Sequence, residues 1–225
     1  MSSTGYRLRQ VTDRLGPGAR LKAPLGALNR VIYCHRGALD LSDGTHLIED
    51  EAWYGSGEVA FTAGDDGAVL WRFELCADNA DPTLLGADDG NAEIASTLQV
   101  DAELEGPDAG SGWIMRCDSV KFPMGGIAFT HVHQGPGIRV VREGQIRIDT
   151  GGESETYLPG QAWFEPGPDA VFAQTSELQC SRFIRVMILP EELKGKSSIQ
   201  YVNAEDLDKP KSQRYKGYVD DPIDH

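Results

Sequence analysis

The stretch FTHVHQGPGIRVV, residues 129–141, holds two of the five histidines in the chain. Side chains on an extended strand alternate between its two faces, so the imidazoles of His131 and His133 should point to the same side. Two nitrogen donors on one face are part of a ligand set for a metal ion, which in proteins takes about three or four side-chain ligands. The question is which other side chains complete that set.

Composition and charge limit the kinds of partner the chain can have. The 26 glycines and 12 prolines among 225 residues favour short strands joined by turns. A formal net charge of −14 argues against nucleic acid and anionic membranes as partners, since both attract positive surfaces. No apolar run approaches the roughly 20 residues of a membrane-spanning helix.

The cysteines and the opening residues indicate a compartment. Cys34, Cys76, Cys117 and Cys180 lie far apart, with no C-x-x-C pair, and are interpreted as buried, reduced thiols. Residues 1–16 contain no apolar stretch of the kind found in secretory signals. We expect a cytoplasmic protein.

The chain contains an internal repeat. Residues 6–41 align with residues 113–148 at a constant offset of 107, and the match continues after a small gap. The matched pairs are Tyr6 with Trp113, Arg9 with Arg116, Leu15 with Phe122, Gly18 with Gly125, Gly37 with Gly144, Trp53 with Trp163 and Phe61 with Phe172. Because glycines, aromatics and hydrophobic alternation stay in register, two similar domains are predicted.

Four segments follow from this repeat. They are a first copy at 1–80, an acidic linker at 81–110, a second copy at 111–190 and an extension at 191–225. Positions 77–115 hold no lysine or arginine, which indicates a solvated linker, although 95–104 alternate well enough to add one strand. The extension is predicted to contain a short helical turn, a strand near 199–202 and a polar tail over the surface.

Within each copy, short alternating segments are separated by Gly, Pro and Asp turn signals. This spacing predicts an all-β fold, an antiparallel sandwich or barrel, rather than alternating strands and helices. The glycine and histidine spacing of the second copy then resembles the first motif of the cupin family, G-x5-H-x-H-x3,4-E-x6-G. The five fixed positions of that motif fall, in order, on Gly125, His131, His133, Gly137 and Gly144.

The second cupin motif, G-x5-P-x-G-x2-H-x3-N, begins correctly at Gly160 and Pro166. The resemblance covers residues 6 to 190 and implies two tandem cupin barrels, each a double-stranded β-helix or jelly roll. It also implies a divalent metal ion (Fe, Mn, Ni or Zn), bound in that family by the two histidines and the glutamate of the first motif and the histidine of the second.

The chain departs from that ligand set. The glutamate position is Gly137, and the second-motif histidine falls on Ala170 or Val171, none of which can bind a metal through its side chain. In the first copy, the histidine positions are Pro24 and Gly26. The first barrel is therefore expected to be structural, and any metal must find another ligand in the second.

Three polar residues of the second copy could complete the site. Glu165 interrupts an apolar strand, and its counterpart in the first copy is Gly55. With the histidine pair it would give a 2-His-1-carboxylate set, which suits Fe(II) and equally Mn, Ni or Zn, or it would act as a general base. Arg139 should share a face with Gly137 and could orient a substrate carboxylate. Gln174 lies near the asparagine position of the second motif.

Each of these residues also has a structural interpretation. Glu165 and Arg139 could simply pair, because a buried charge is tolerated only with a partner. His131 and His133 could form a hydrogen-bonded core pair without metal. Gln174 could cap a backbone group.

Two functions therefore stay open. One is a metal-dependent enzyme of the oxygenase, isomerase or lyase type, acting on a small anionic or oxygen-rich metabolite in the second barrel. The other is a non-catalytic small-molecule-binding or sensor protein without metal. Trp163, Phe172 and Gln174 are predicted to line the ligand pocket, although both aromatics also suit a barrel core. A homodimer is expected, because cupins commonly cover their sheet edges by association.

Overall fold

The computed structural model describes residues 5–86, 93–104 and 112–223. Contacts divide the chain into two units, Met1–Gly106 with Ile223–His225 and Pro107–Pro222. Apart from two 3₁₀ turns, the regular structure of the described residues is entirely β-strand. The predicted all-β class is confirmed.

The first unit is a six-stranded antiparallel sheet. Its strands are β1 (Tyr6–Leu15), β2 (Asn29–Leu41), β3 (His46–Ile48), β4 (Glu51–Gly55), β5 (Phe61–Ala77) and β6 (Ile94–Leu104). The order is β3-β2-β5-β1-β6, with β4 also paired to β2.

The second unit consists of two five-stranded antiparallel sheets. Its strands are β7 (Trp113–Phe122), β8 (Ile127–His133), β9 (Gly137–Glu143), β10 (Ile146–Thr150), β11 (Glu153–Tyr157), β12 (Ala162–Glu165), β13 (Val171–Thr175), β14 (Ser181–Pro190), β15 (Ile199–Tyr201) and β16 (Arg214–Pro222). One sheet runs β11-β10-β13-β8-β15 and the other β12-β9-β14-β7-β16. A core drawn from both sheets, including Phe122, Ile148, Trp163 and Phe183, packs between them.

The repeat is visible at the level of single glycines. β1 and β7 have the same length and lie 107 residues apart. Gly18 and Gly125 both have a φ of 65°, and Gly37 and Gly144 have φ values of 79° and 72°. A Cβ on Gly37 or Gly144 would lie 2.0 Å from a backbone carbonyl oxygen. Only glycine fits at these two turns, which explains why they match in both copies.

The pairing of Phe61 with Phe172 is wrong. Phe61 and Ala63 are buried at the start of β5, as Val171 and Ala173 are at the start of β13, whereas Phe172 is only half-buried. A shift of one residue moves a strand side chain to the other face. The bonds from Gly18 N–H to Gly64 O and from Gly125 N–H to Ser176 O match Gly64 with Ser176. Counting back three residues on each strand, Phe61 therefore corresponds to Ala173.

The segment predicted as an acidic linker contributes a strand to the first unit. β6 pairs with β1 along the whole of that strand, so the strand expected at 95–104 is confirmed. The parts of the linker at 87–92 and 105–111 lie outside the described residues.

The extension after Pro190 contributes a strand to each sheet of the second unit. The predicted helical turn and strand are present at Glu191–Leu193 and in β15, which pairs with β8. The sequence did not predict β16, which pairs with β7. The tail therefore completes the second unit instead of lying loosely over its surface, and β16 takes beside β7 the place that β6 has beside β1.

A cluster of four charged side chains is buried in the first unit. Arg30 Nε and Arg72 Nη1 lie 2.6 and 2.7 Å from the same oxygen of Glu74, and Arg72 Nε lies 2.8 Å from Asp13. Gly26, at a position that matches a histidine of the second unit, offers its backbone carbonyl to Arg30 Nη2 at 3.0 Å. Two guanidinium groups balance two carboxylates, as buried charges require.

Two further predictions concern thiols and membranes. The thiols of Cys34, Cys76 and Cys117 are buried as predicted, but Cys180 is exposed, because it lies in the turn between β13 and β14. Among residues 5–86, 93–104 and 112–223, no helix is long and apolar enough to cross a membrane.

Candidate functional site

β8 places both histidines on the inner face of the second unit. His131 and His133 are 5% and 6% exposed, and their Nε2 atoms are 3.2 Å apart. Val171 of β13 lies opposite His131, and Ile199 of β15 lies opposite His133. Val171 is thus the candidate position for a second-motif histidine that adjoins the pair, and its side chain is aliphatic.

The hydrogen bonds of the two rings define which nitrogen atoms are free. His131 Nδ1 lies 2.7 Å from the carbonyl oxygen of Phe129, to which a neutral imidazole donates its Nδ1–H. Its Nε2 then carries a lone pair, which is the form of histidine that binds metals. His133 Nδ1 is buried and has no hydrogen-bond partner within the described residues.

Glu165 joins the histidines from the other sheet. Its Oε1 accepts a hydrogen bond from Trp163 Nε1 at 2.7 Å, and its Oε2 lies 2.8 Å from Arg139 Nη2 and 3.3 Å from His133 Nε2. The contact with Arg139 is close but not aligned as a hydrogen bond, so Oε2 is a buried oxygen without a donor in the described part of the chain. The structure brings Glu165, Arg139 and the histidine pair together.

The close packing around Gly137 explains why the carboxylate of the site, Glu165, comes from β12. Gly137 lies directly opposite Glu165 in the β9–β12 pair, and a Cβ on it would be 2.6 Å from the carbonyl oxygen of Val186. A side chain at the glutamate position of the first motif therefore has no room in this barrel. Glu165 places a carboxylate next to that position from the neighbouring strand.

Burial and neighbouring charges define the protonation states. Loss of hydration, aided by the positive charge of Arg139, lowers the pKa of His133 to about 3, and burial lowers the pKa of His131 as well. Burial alone would raise the pKa of Glu165, but Arg139, His133 and Trp163 hold it well below its usual range. Burial lowers the pKa of Arg139 to about 10. At neutral pH the histidines are uncharged, and the Glu165–Arg139 pair is ionised.

Two more ion pairs lie on the inner face of the sheet that contains Arg139. Arg185 of β14 lies opposite Arg139 on one side and Asp118 on the other. Its Nε and Nη2 atoms donate to the two Asp118 oxygens at 2.7 and 3.0 Å. Arg116, two residues before Asp118, binds Asp220 of β16 at 2.8 and 3.2 Å.

Two adjoining cavities lie in the second unit. The inner cavity, about 30 Å³, is lined by His131, His133, Arg139, Glu165, Trp163, Val171, Arg185, Ile199, Gln213 and Tyr215 among others. The outer cavity, about 410 Å³, is lined by Arg116, Asp118, Arg185, Lys196, Ile199, Tyr201, Lys211, Tyr215, Val219 and Asp220 among others. Arg185, Ile199 and Tyr215 line both.

Of the three predicted pocket residues, one lines the inner cavity and two do not. Trp163 does, with its ring stacked on Tyr157. Phe172 and Gln174 alternate with Val171 and Ala173, which face the inner cavity, so they lie on the other face of β13. The ring of Phe172 instead faces the Arg147 guanidinium at 5.9 Å. Phe172 is the residue misaligned with Phe61 by one position, and Gln174 is the residue near the asparagine position of the second motif.

Sequence reasoning missed several residues of the two cavities. Arg116 and Asp118 alternate with buried apolar residues on β7, a pattern that could have indicated inward charges. Arg185 likewise interrupts the run of buried apolar residues on β14. Ile199 and Tyr215 come from the tail, for which the sequence offered no sign of a role in the site.

The donor atoms can be compared with what a metal ion needs. Two ligands of one ion, each at about 2.1 Å, lie about 3.0 to 3.4 Å apart. The Nε2–Nε2 distance of 3.2 Å and the His133 Nε2–Glu165 Oε2 distance of 3.3 Å both fall in that range. Taken together, however, no group of three or more His, Cys, Asp or Glu side chains in the described residues is arranged to hold an ion. Each of these two donor distances suits a shared metal ion, but the Glu165 carboxylate also contacts Arg139 and Trp163.

No family model and no curated protein matches the chain by sequence. Its fold is similar to that of solved structures. A two-residue deletion mutant of Bacillus subtilis oxalate decarboxylase matches with a TM-score of 0.64 and 13% identity, over 93% of this chain and 78% of that one. A structure concerned with the Mn(II) centres of the same enzyme matches with a TM-score of 0.64 and 12% identity over the same shares.

AerE from Microcystis aeruginosa matches with a TM-score of 0.55 and 16% identity, over 84% of this chain and 88% of that one. At such identities the likeness establishes the fold alone. The chain has the cupin jelly-roll fold, as two tandem barrels.

Proposed function

We propose that the second barrel is a metal-dependent enzyme site for a small anionic metabolite, with His131 and His133 holding a divalent ion. The observation that carries this proposal is the buried Nε2 pair at 3.2 Å, with the Nδ1–H of His131 donated to a backbone carbonyl. Metal-binding histidines are usually oriented in this way. The Mn(II) centres named for a fold relative support the proposal by analogy.

The ion would supply Lewis acidity at the inner cavity. Glu165 is suited to be its third ligand, because Oε2 is ionised, buried and without a hydrogen-bond donor in the described residues. A general base works best with a pKa near the operating pH, so the lowered pKa of Glu165 disfavours that alternative role. Arg139 keeps the carboxylate charged, and Trp163 Nε1 orients it through Oε1.

Elemental analysis of untagged protein, purified without added metal, tests the proposal. We expect one first-row metal ion per chain in the wild type and loss of that ion in His131→Ala and in His133→Ala. His46→Ala, at an exposed histidine of the first unit, is the matched control and should retain the metal. Equal metal content in the wild type and His131→Ala would contradict the assignment of this pair as ligands.

A second candidate, a metal-free binding barrel, is favoured by a different observation. Arg139 and Glu165 are 2.8 Å apart, as a structural ion pair would be, and no complete ligand group is found in the described residues. In this case His133 donates its Nε2–H to the Nε2 lone pair of His131, and the histidine pair is part of the core. Absence of metal from all preparations, together with retained ligand binding, would favour this candidate.

A further inference from the structure

The inner cavity, which contains His131, His133 and Glu165, is too small to hold the body of a substrate. At about 30 Å³ it holds little more than one water-sized molecule. The outer cavity, at about 410 Å³, is in the range of small-molecule sites. Arg185, Ile199 and Tyr215 form the boundary between the two. An organic ligand must therefore lie in the outer cavity, and only a small group of it can reach between these three side chains into the inner cavity.

The outer cavity carries excess positive charge in a strongly acidic protein. Four cationic side chains (Arg116, Arg185, Lys196 and Lys211) face two carboxylates (Asp118 and Asp220). Both arginines are paired with these aspartates, and Lys211 donates to backbone carbonyls, among them that of Lys209 at 2.8 Å. Lys196 has no ion-pair partner in the described residues. Against a net charge of −14, this local excess favours an anionic ligand.

Arg185 has a donor to spare at the boundary. Its Nε and Nη2 atoms are used by Asp118, whereas its Nη1 donates to no acceptor among the described residues. The side chain is 5% exposed, and the ring of Tyr215 stands 5.7 Å from its guanidinium carbon. A nearly buried guanidinium with a free edge is suited to a carboxylate.

Apart from these charges, two serines and two glycines, the outer cavity is lined by aliphatic and aromatic side chains. Ile199, Tyr201, Tyr215 and Val219 line it, and all four come from the tail. We propose that the outer cavity is the binding site for a small organic acid with an apolar body. The carboxylate would meet Arg185 Nη1, Lys196 would attract it at the rim, and the body would lie against the tail residues.

This inference deepens the proposed function by naming its substrate class, but acid binding itself does not require a metal. Isothermal titration calorimetry with 3-phenylpropanoate and with its neutral amide, 3-phenylpropanamide, tests it on the full chain. We expect the acid to bind and the amide to bind at least about tenfold more weakly, which corresponds to about 1.4 kcal/mol. Lys196→Gln should weaken binding of the acid by a similar factor.

Lys194→Gln is the matched control, since Lys194 lies on the same loop, is exposed and does not line the cavity. It should bind the acid as the wild type does. His131→Ala should also retain acid binding, so a failure of the metal proposal can be distinguished from a failure of this one. The inference is overturned if neither probe binds, if the amide binds as tightly as the acid, or if the two lysine variants behave alike.

Discussion

Glu165 is the residue at which the two interpretations of the site differ. A structural partner of Arg139 should lie about 2.7 to 2.9 Å from it, and the observed 2.8 Å meets that demand. A metal ligand should have an oxygen free of other donors next to the histidines, and Oε2 meets that demand as well. The position of Glu165 meets the demands of both roles, and a substitution distinguishes them.

The variant Glu165→Gln distinguishes the ligand role from the structural role. If Glu165 is a ligand, the variant should lose metal; if it is only a partner, metal content should stay as in the wild type. In the second case the buried Arg139 loses its counter-charge, at a cost of about 3 to 5 kcal/mol in the free energy of unfolding. Elemental analysis and urea unfolding of the same preparations measure both. Glu143→Gln, at an exposed carboxylate, should change neither, and a silent Glu165→Gln would exclude both roles.

The buried histidines predict a loss of stability in acid for the metal-free protein. An unfolded histidine takes up its proton near pH 6.5, whereas folded His133 does so only near pH 3. Between these values the unfolded state binds the extra proton, so the free energy of unfolding falls as pH falls, by up to about 1.4 kcal/mol per pH unit. Glu165, with its lowered pKa, acts in the same direction below its ordinary range.

Urea unfolding as a function of pH measures this slope. His133→Gln should flatten it between about pH 6.5 and 3, while His46→Gln, at an exposed ring, should not. Identical slopes in these two variants would show that the histidine environment has been assigned wrongly.

At the residue scale, sequence reasoning worked where spacing determines direction. The step of two between His131 and His133 predicted a shared face, and the break in an apolar run identified Glu165. It failed for Gln174 and Phe172, because one misplaced gap reverses which side of a strand faces inward.

The tail strand β16 is the element with the largest effect on the site. Asp220 binds Arg116 at 2.8 and 3.2 Å and accepts a hydrogen bond from the backbone of Gly195 at 2.7 Å. Arg116 in turn donates to the carbonyl oxygens of Leu193 and Lys196 at 2.6 and 2.8 Å. One ion pair thus holds β16, β7 and the loop at the rim of the outer cavity together.

Asp220→Asn should therefore destabilise the second unit. Hydrogen bonds to charged groups contribute about 1.5 to 3 kcal/mol, and partial exposure of Asp220 places the expected loss at the lower end of that range. Urea unfolding measures the loss, and Asp221→Asn, at the exposed neighbouring residue, is the control. Equal stability of the two variants would mean that the ion pair does not hold the tail.

The absence of β16 from the sequence-based prediction has a physical reason. Of its nine residues only Val219 is buried, so the strand lacks the alternation by which half-buried strands are recognised. An edge strand that pairs mainly through its backbone does not need an alternating pattern of apolar and polar residues. β6 was predicted because its apolar residues alternate more regularly.

For the whole molecule, association remains a prediction. Each sheet of the second unit ends in two edge strands, β11 and β15 in one and β12 and β16 in the other. Unpaired edges are usually covered or charged. We expect a homodimer by light scattering at micromolar concentration, and a monomer mass would contradict the expectation.

The tandem architecture was predictable from sequence because it depends on positions where only one residue type fits. Gly37 and Gly144 are such positions, and they match across the repeat even though most other residues differ. The interior chemistry of the two units was not predictable in the same way. The charged quartet around Arg72 and the histidine site around Glu165 occupy the same fold, since a barrel constrains which positions face inward but not which side chains fill them.

The pairing of β16 with β7 has a consequence for how the protein is made. Synthesis proceeds from the N-terminus, and domains generally fold as units while the chain emerges. The first unit has all its strands once β6 has left the ribosome. In the second unit, β7 is among the first segments made, yet its partner β16 follows about a hundred residues later. Until then Arg116 lacks Asp220, and the outer cavity lacks the wall formed by β16. Once β14 has been made, the nascent second barrel exposes an open edge at β7 and inward charges until β16 follows about 30 residues later. At ribosomal rates of about 5 to 20 residues per second this interval lasts about 2 to 6 seconds, in which a chaperone would meet the open edge.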